Sequence, residues 1–391
     1  MKKKNYAIDW VKYFAKKLIY AVKTKRVFDT AFFDETNEKT LFITHNFKGG
    51  TVQYENNFVA EHKDNVIVLK VVTHGKTLAY LLEDKKNKHK IFVNKRFFSQ
   101  ILSYNFKEIV VSSLVSASNF AEILSTLVSY KKNYKQIPLV YLVHDFHCIC
   151  PKYNLVCNDE FCNLQCKKND CKFHIFPECT TVSICYWRKV WSNFLFEVDR
   201  IICFSESSKE LILRSYSLLD SSKIIVKPHD MSWVKFTPIP PVYNSFLRIA
   251  VVGAVVSVPK GKLVVERLLE CLSENIHVSL IGLTKDDIHT SRKNTEFLGR
   301  YSHDELQNII ESCRINLVVF PSICPETFSY LISELIMMDV PIICFDFGAQ
   351  AEKVGAYYKG KVVKNEKEMI SYIESLHKEI TGECDKKLCM K

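Results

Sequence analysis

The chain has 391 residues, 47% of them hydrophobic and 25% charged, which bounds it as a globular protein of two or three domains with a sizeable core. No apolar run approaches the roughly 20 residues that a membrane-spanning helix needs, and the basic start lacks the apolar stretch and small-residue cleavage site of a secretory signal, so the chain reads as neither secreted nor spanning. A net charge of +11 suits a polyanionic partner (nucleic acid, an anionic membrane face or a phosphorylated substrate), although an ordinary Lys-rich solvated surface gives the same balance.

The charge is concentrated at the start. Residues 1–28 carry Lys2, Lys3, Lys4, Lys12, Lys16, Lys17, Lys23, Lys25 and Arg26 against one acid, Asp9, while Trp10, Val11, Phe14, Leu18, Ile19 and Val22 recur at helical spacing. The pattern predicts a basic amphipathic helix over 1–28. It either docks on an anionic leaflet or packs on the first domain with its lysines snorkelling.

From residue 29 strands alternate with helices. "TLFITH" (40–45) is a strand running into the glycine-rich "NFKGG", and "TVQYENNFVAEH" is a helix that Thr51 is placed to cap. Strands follow at "NVIVLKVV", "EIVVSSL" and "LVYLVHD", with helical stretches such as "NFAEILSTLVSYKKNY" between them, and "VDRIICFSESSKELILRSY" repeats strand, serine turn and helix. This alternation implies a parallel sheet covered on both faces. Residues 29–236 form a first domain with a cysteine-rich insertion at about 148–179, and the Pro-rich "FTPIPPVYNS" makes 237–246 a linker.

The alternation restarts over 247–375: strand "LRIAVVGAV", helix "KLVVERLLECL", strands "HVSLIGL" and "TEFLGR", then "SHDELQNIIESC" with a capping box of Ser302 and Glu305. Strand "INLVVFP", helix "ETFSYLISELIMM" and strand "PIICFDFG" complete the core, and "NEKEMISYIESLHKEI" closes it, leaving 376–391 as helix end and tail. The expected fold class is α/β, two Rossmann-like domains with parallel sheets facing a central cleft, ligands binding at the C-terminal ends of the strands.

"FPSICPETFSYLISELIMMDVPIICFDFGAQAEKV" (320–354) places two carboxylates, Glu326 and Glu334, in an otherwise apolar run, with Pro325 as a helix start. Eight helical residues rise about 12 Å and turn by about 80°. That is too far apart for a hydrolase carboxylate pair, but one elongated nucleotide diphosphate sugar spans it, phosphates near the helix N-terminus. The alternative is a solvent-facing Glu334 and a Glu326 that merely complements the helix dipole.

The same stretch resembles the Glu, seven residues, Glu motif of retaining GT-B glycosyltransferases of family 4, in particular the bacterial surface-polysaccharide or O-antigen type branch. The match runs through the turn, both glutamates, "FSY", "SEL" and "GAQAEKV". The resemblance implies that Glu326 lies near the donor sugar and reacting centre, that Glu334 bonds the ribose, and that the backbone at Thr327 and Phe328 meets the diphosphate. "VVGAVVSVPKGKLVVERLL" resembles the family's phosphate loop, with Gly253 for close backbone approach and Lys260 as phosphate cation; Ala254 stands where many members have Arg. "THNFKGGTVQY" resembles the N-terminal glycine-rich loop, giving Gly49 and Gly50 to the donor phosphate or acceptor. "YLVHDFHCICPKYNLV" resembles a segment that places His144 near the transferred sugar, the alternative being a satisfied core histidine. Ser205 resembles a serine turn ending that domain, and His229 is a weaker candidate.

Cys148, Cys150, Cys157, Cys162, Cys166, Cys171 and Cys179, with His147 and His174, crowd one loop. In a long chain without a signal peptide this composition points to reduced thiols or a metal rather than disulfides. Cys157, Cys162, Cys166 and Cys171, at gaps of three and four residues, suit tetrahedral structural zinc; a loop of free thiols is the alternative. A nucleic-acid finger is disfavoured because aromatic and basic residues interleave thinly and no recognition helix follows.

The resemblance thus implies a cytoplasmic glycosyltransferase, peripheral on the inner face of the membrane. It would transfer a hexose with retention from a nucleotide diphosphate sugar to a growing, lipid-linked surface polysaccharide. No Asp-x-Asp motif occurs, so catalysis needing no metal cofactor is expected. The rivals are a sugar-nucleotide epimerase on the same fold and a non-catalytic glycan- or membrane-binding subunit.

Overall fold

The computed structural model describes residues 36–382 except 48, 75–76, 87, 95–96, 116, 167–171, 176–179 and 242–244. The basic N-terminal segment 1–28, Cys171, Cys179 and the tail from 383 lie outside the described residues. Among the described residues no helix is long and apolar enough to cross a membrane. The chain forms two compact units. One takes in residues up to Tyr153, Gln165–Cys203 and Lys209–Lys227; the other takes in Asn154–Leu164, Phe204–Ser208 and the chain from Pro228 onward.

The first unit is built on an eight-stranded sheet. Its strands are β1 (Thr40–His45), β2 (Val66–His74), β3 (Thr77–Asp84), β4 (His89–Asn94), β5 (Glu108–Val111), β6 (Leu139–Leu142), β11 (Arg200–Cys203) and β12 (Ile224–Val226). Two small hairpins fall between β6 and β11 in the chain: β7 (Val156–Cys157) with β8 (Glu160–Phe161), which belongs to the second unit, and β9 (Lys172–Ile175) with β10 (Thr180–Ser183), which belongs to the first. Helices α1 (Gly50–Glu61), α2 (Phe97–Ile101), α3 (Phe120–Asn133), α4 (Ile184–Glu197) and α5 (Glu206–Ser215) connect the strands. The order is β12-β11-β6-β5-β1-β2-β3-β4, and the strands from β12 to β2 are parallel, as the alternation implies. Every residue of β1 and β6 is buried, as expected of strands covered on both faces.

The sequence reading is corrected at two places here. β3 and β4 run antiparallel to their neighbours, because only residues 75–76 separate β2 from β3 and so short a connection joins antiparallel strands only. Thr51 does not cap α1: the helix opens one residue earlier and Gly49, at φ +135°, occupies the cap. Part of the positive charge is internal, since Lys39 pairs with Asp84 at 3.1 Å, and Lys70 and Lys85 both meet Glu55, at 2.9 and 3.2 Å.

The second unit is a six-stranded, wholly parallel sheet of order β15-β14-β13-β16-β17-β18. Its strands are β13 (Arg248–Val252), β14 (His277–Ile281), β15 (Thr295–Gly299), β16 (Leu317–Phe320), β17 (Ile342–Phe345) and β18 (Gly360–Val363). Its helices are α6 (Lys262–Cys271), α7 (Leu306–Ser312), α8 (Tyr330–Met337), α9 (Gly348–Ala356) and α10 (Glu366–Thr381). Period-two alternation divides each strand between two cores. Ile249, Val251, Leu317, Val319 and Ile343 pack with Val264, Leu268, Met369 and Ile373 of α6 and α10. Ala250, Val252, Val318, Phe320 and Ile342 pack with Ile310, Ile332, Leu335 and Val354 of α7, α8 and α9.

The capping box forms as read, Ser302 N–H donating to Glu305 Oε2 at 2.7 Å, and opens a 3₁₀ turn, His303–Glu305, ahead of α7. The stretch read as a linker is partly docked. Ile239 is buried in the second core and its N–H donates to the Met338 carbonyl at 2.9 Å.

The helix expected from Glu326 begins four residues later, at Tyr330, so Pro325, Glu326, Thr327 and Phe328 form a loop. Ser329 precedes the helix at φ +61°, a conformation that cannot continue helix backwards, and the Glu326 N–H and carbonyl are bonded to Gln350 and Ala349.

Strand order reverses between β13 and β16, which puts the loops after these two strands side by side at the C-terminal edge of the sheet. The contact between them depends on Gly261. It has φ +91°, and a Cβ there would lie 2.1 Å from the Pro321 carbonyl oxygen. Gly261→Ala is therefore expected to destabilise the second unit by roughly 2–5 kcal/mol, from left-handed backbone strain and overpacking together. Chemical unfolding followed at Trp233 measures it; a variant within about 0.5 kcal/mol of wild type would contradict the packing.

Candidate active site

The loop after β13 ends in a 3₁₀ turn, Val258–Lys260, and the loop after β16 lies on it. Ile323 N–H donates to the Pro259 carbonyl at 3.0 Å and the Ser322 hydroxyl to the same oxygen at 3.3 Å. This latch brings together two residues far apart in sequence: Lys260 Nζ meets Glu326 Oε1 at 2.7 Å. Burial acts to raise the Glu326 carboxyl, but Lys260, the Ser329 hydroxyl and Lys353 together hold it below the usual carboxylate range. Glu326 is thus an ionised, half-buried carboxylate between cations. Lys262, next in the chain, turns away to Glu266 on its own helix, at 3.9 Å. Gly253 sits at φ +100° in the same loop, with Ala254 exposed beside it.

A second clamp fixes Glu326 from α9. Gln350 is fully buried; its Oε1 accepts the Glu326 N–H at 2.9 Å and its Nε2 donates to the Cys324 carbonyl at 2.7 Å. Ala349 N–H donates to the Glu326 carbonyl at 2.9 Å. Gly348, at φ +70°, permits the approach, since a Cβ there would lie 2.6 Å from the Glu326 nitrogen.

Lys353, one turn further along α9, reaches the start of α8. Its Nζ donates to Ser333 Oγ at 2.6 Å and to the Ser329 carbonyl at 3.3 Å, and lies 3.2 Å from the centroid of the Phe328 ring. Burial lowers its ammonium to about 7, against the opposing pull of Glu326 and Glu352. His229 stacks on the other partners of this group, 4.4 Å from Phe328, with Nδ1 2.6 Å from the Tyr330 hydroxyl. Burial and then Lys353 push its imidazole down to about 3.

Glu334 lies in the second turn of α8 and is 6% exposed, so the solvent-facing alternative is excluded. Burial raises its carboxyl, and the contact with His303, Nε2 to Oε1 at 3.1 Å, works against that rise. Because Glu326 belongs to the preceding loop, the two carboxylates are not eight residues apart along one helix. They present to different surroundings, Glu326 to two lysines and Glu334 to a histidine.

The first unit carries His144, Gly49 and Gly50, whereas Cys157 and Cys162 belong to the second unit. His144 lies two residues past the end of β6, its ring edge-on to Tyr54 at 4.6 Å. Gly49 caps α1 and Gly50 is its first residue. Next to His144, the half-buried Asp145 accepts the Ser113 hydroxyl at 2.5 Å, and desolvation raises its carboxyl to about 6. Cys148 and Cys150 are buried, and burial pushes the Cys148 thiol far up. Cys157, Cys162 and Cys166 are partly exposed thiols, while Cys171 lies outside the described residues. Among the described residues no three His, Cys, Asp or Glu side chains gather as a metal site.

Three residues escaped the sequence reading. Gln350 and Lys353 lay inside the quoted "GAQAEKV", but a buried amide and a buried lysine carry no spacing signal. His303 lay inside the capping box and was read only as helix chemistry.

The lowered Lys353 ammonium has a stability consequence. From about pH 7 to its ordinary value near 10.5 the unfolded chain binds this proton and the folded chain does not, so stability rises with pH across that window. Wild type is expected to gain on Lys353→Met between pH 7 and 9.5 in matched urea unfolding. A constant difference would place the ammonium in a solvated environment.

Residues 264–387 match the family model described as Glycosyl transferases group 1. No curated protein sequence matches the chain significantly. Among solved structures the chain is similar to the lipopolysaccharide outer core galactosyltransferase WaaB in its apo form (TM-score 0.57, 12% identity, 88% of this chain and 91% of that one). It is also similar to Anabaena HepE in complex with UDP and glucose (TM-score 0.53, 15% identity, 86% and 89%). A third likeness is to sucrose-phosphate synthase from Thermosynechococcus elongatus (TM-score 0.52, 13% identity, 86% and 89%). These likenesses establish the α/β fold with parallel sheets of GT-B glycosyltransferases, and the family match lays a glycosyltransferase group 1 domain over most of the second unit.

Proposed function

We propose that the chain is a retaining hexosyltransferase of the family 4 type, taking its sugar from a nucleotide diphosphate donor and adding it to a growing surface glycan, lipid-linked and met at the membrane. The observation that carries this reading is the pair Lys260–Glu326, at 2.7 Å, beside the point where strand order reverses, with the buried Glu334 in the helix that follows. An open α/β sheet binds nucleotides at that point. HepE, a structural neighbour, is described in complex with UDP and with UDP-glucose, which supports a uridine donor as the first to test.

On this reading Lys260 neutralises the diphosphate, aided by backbone amides at the start of α8, and Glu326 orients the sugar hydroxyls. Glu334 accepts hydrogen bonds from the ribose. The bond from the anomeric carbon to the diphosphate oxygen breaks as the acceptor hydroxyl attacks from the leaving-group face. The departing diphosphate oxygen takes the acceptor's proton, so no separate base is needed. In the first unit, His144, Gly49 and Gly50 are the residues that the family resemblance assigns to ligand contacts. The nine basic residues of 1–28 against one acid support contact with an anionic leaflet.

The test is calorimetric titration of UDP. Glu334→Ala is expected to weaken binding by roughly 10- to 150-fold, the loss of charge-assisted hydrogen bonds worth about 1.5–3 kcal/mol. Lys260→Ala should weaken UDP but not uridine, and Lys262→Ala, paired within its own helix, should change neither. Equal effects of the two lysine variants, or unaltered affinity in Glu334→Ala, would remove the assignment of the site.

A further inference from the structure

His303 is held from three directions. The capping box of Ser302 and Glu305 sets its backbone at the first position of a 3₁₀ turn. Its ring stacks on Phe236 (4.9 Å between centroids, 24° between planes) and leans on Trp233 (5.1 Å, 41°), both from the chain segment that leads into the second sheet. So held, Nε2 lies 3.1 Å from Oε1 of Glu334. The other charged group at the ring is Asp304, 3.4 Å from Nδ1 and fully exposed; Tyr301 is the further titratable neighbour of Glu334.

An ionised carboxylate offers only lone pairs, so Nε2 carries the shared hydrogen. A glutamate has three rotatable bonds, and a buried carboxyl drifts toward its neutral form. The His303 contact opposes both tendencies. It engages one carboxylate oxygen and leaves Oε2 as a fixed acceptor. A fixed, ionised acceptor distinguishes a ligand with a hydroxyl at that point from one without it, because the missing partner leaves a buried charge unsatisfied.

We propose that His303 is the positioning residue that orients the Glu334 carboxylate through Nε2 and thereby sets selectivity for a ribose over a 2′-deoxyribose in the nucleotide. The proposal rests on the ribose reading of Glu334 given above. His303 touches the carboxylate and not the reacting atoms, so its signature is discrimination rather than turnover.

The experiment compares dissociation constants of UDP and 2′-deoxy-UDP for wild type, Glu334→Ala, His303→Phe and His303→Gln. Phenylalanine keeps the stacking on Phe236 and Trp233 but has no N–H; glutamine restores an N–H near the position of Nε2. Glu334→Ala should bring the ratio of the two constants close to one. His303→Phe should lower the ratio by about tenfold, and His303→Gln should recover most of it. If His303→Phe keeps the wild-type ratio while Glu334→Ala abolishes it, His303 only packs and the proposal is wrong. If Glu334→Ala itself leaves the ratio unchanged, the ribose reading fails, and this inference falls with it.

Discussion

The contact on which the rest of the second unit depends is the close seating of the Val258–Lys260 turn against the loop after β16. Gly261 lies under the Pro321 carbonyl with no room for a side chain, and the Pro259 carbonyl takes two hydrogen bonds from Ser322 and Ile323. These are backbone constraints, so they locate Lys260 and Glu326 before any side-chain charge contributes. They fix the backbone of both residues at the sheet's reversal point, and the half-exposed Lys260 side chain then meets Glu326 at 2.7 Å.

Charge balance then shapes the chemistry. Glu326 is kept ionised by Lys260, by the Ser329 hydroxyl and by Lys353, in spite of its burial. Lys353 is kept in place by Ser333, the Ser329 carbonyl and the Phe328 face, and burial lowers its ammonium to about 7. The strained Ser329, at φ +61° and ψ +91°, lies where these groups converge, with the energetic cost of order 1–3 kcal/mol that such a backbone carries.

Several elements were legible because their cause is local. The apolar runs of β1, β6, β13 and β16 are strands, the capping box at Ser302 forms, and the last helix starts where Asn365 accepts the Glu368 N–H at 3.0 Å. The misreadings have local causes as well. β3 and β4 were not read as strands at all, and it is the two-residue spacing at 75–76 that makes β2 and β3 a hairpin rather than a crossover. The helix was begun too early because Pro325 and Glu326 are good first-turn residues, and nothing in their neighbourhood reveals that Gln350, 24 residues on, captures the Glu326 N–H.

By itself the sequence determined the alternating α/β class, the capping box at Ser302, and the two carboxylates in an apolar setting. Those follow from side-chain pattern and from turn chemistry within a few residues. Tertiary structure alone decided that Lys260 meets Glu326, that Gln350 and Gly348 hold the loop between them, that Lys353 is buried beside Phe328, and that His303 rather than water faces Glu334. The physical reason is the same in each case. Burial and partner choice depend on which loops the strand order brings to one edge of the sheet, and that is a property of the assembled fold and not of any window of the chain.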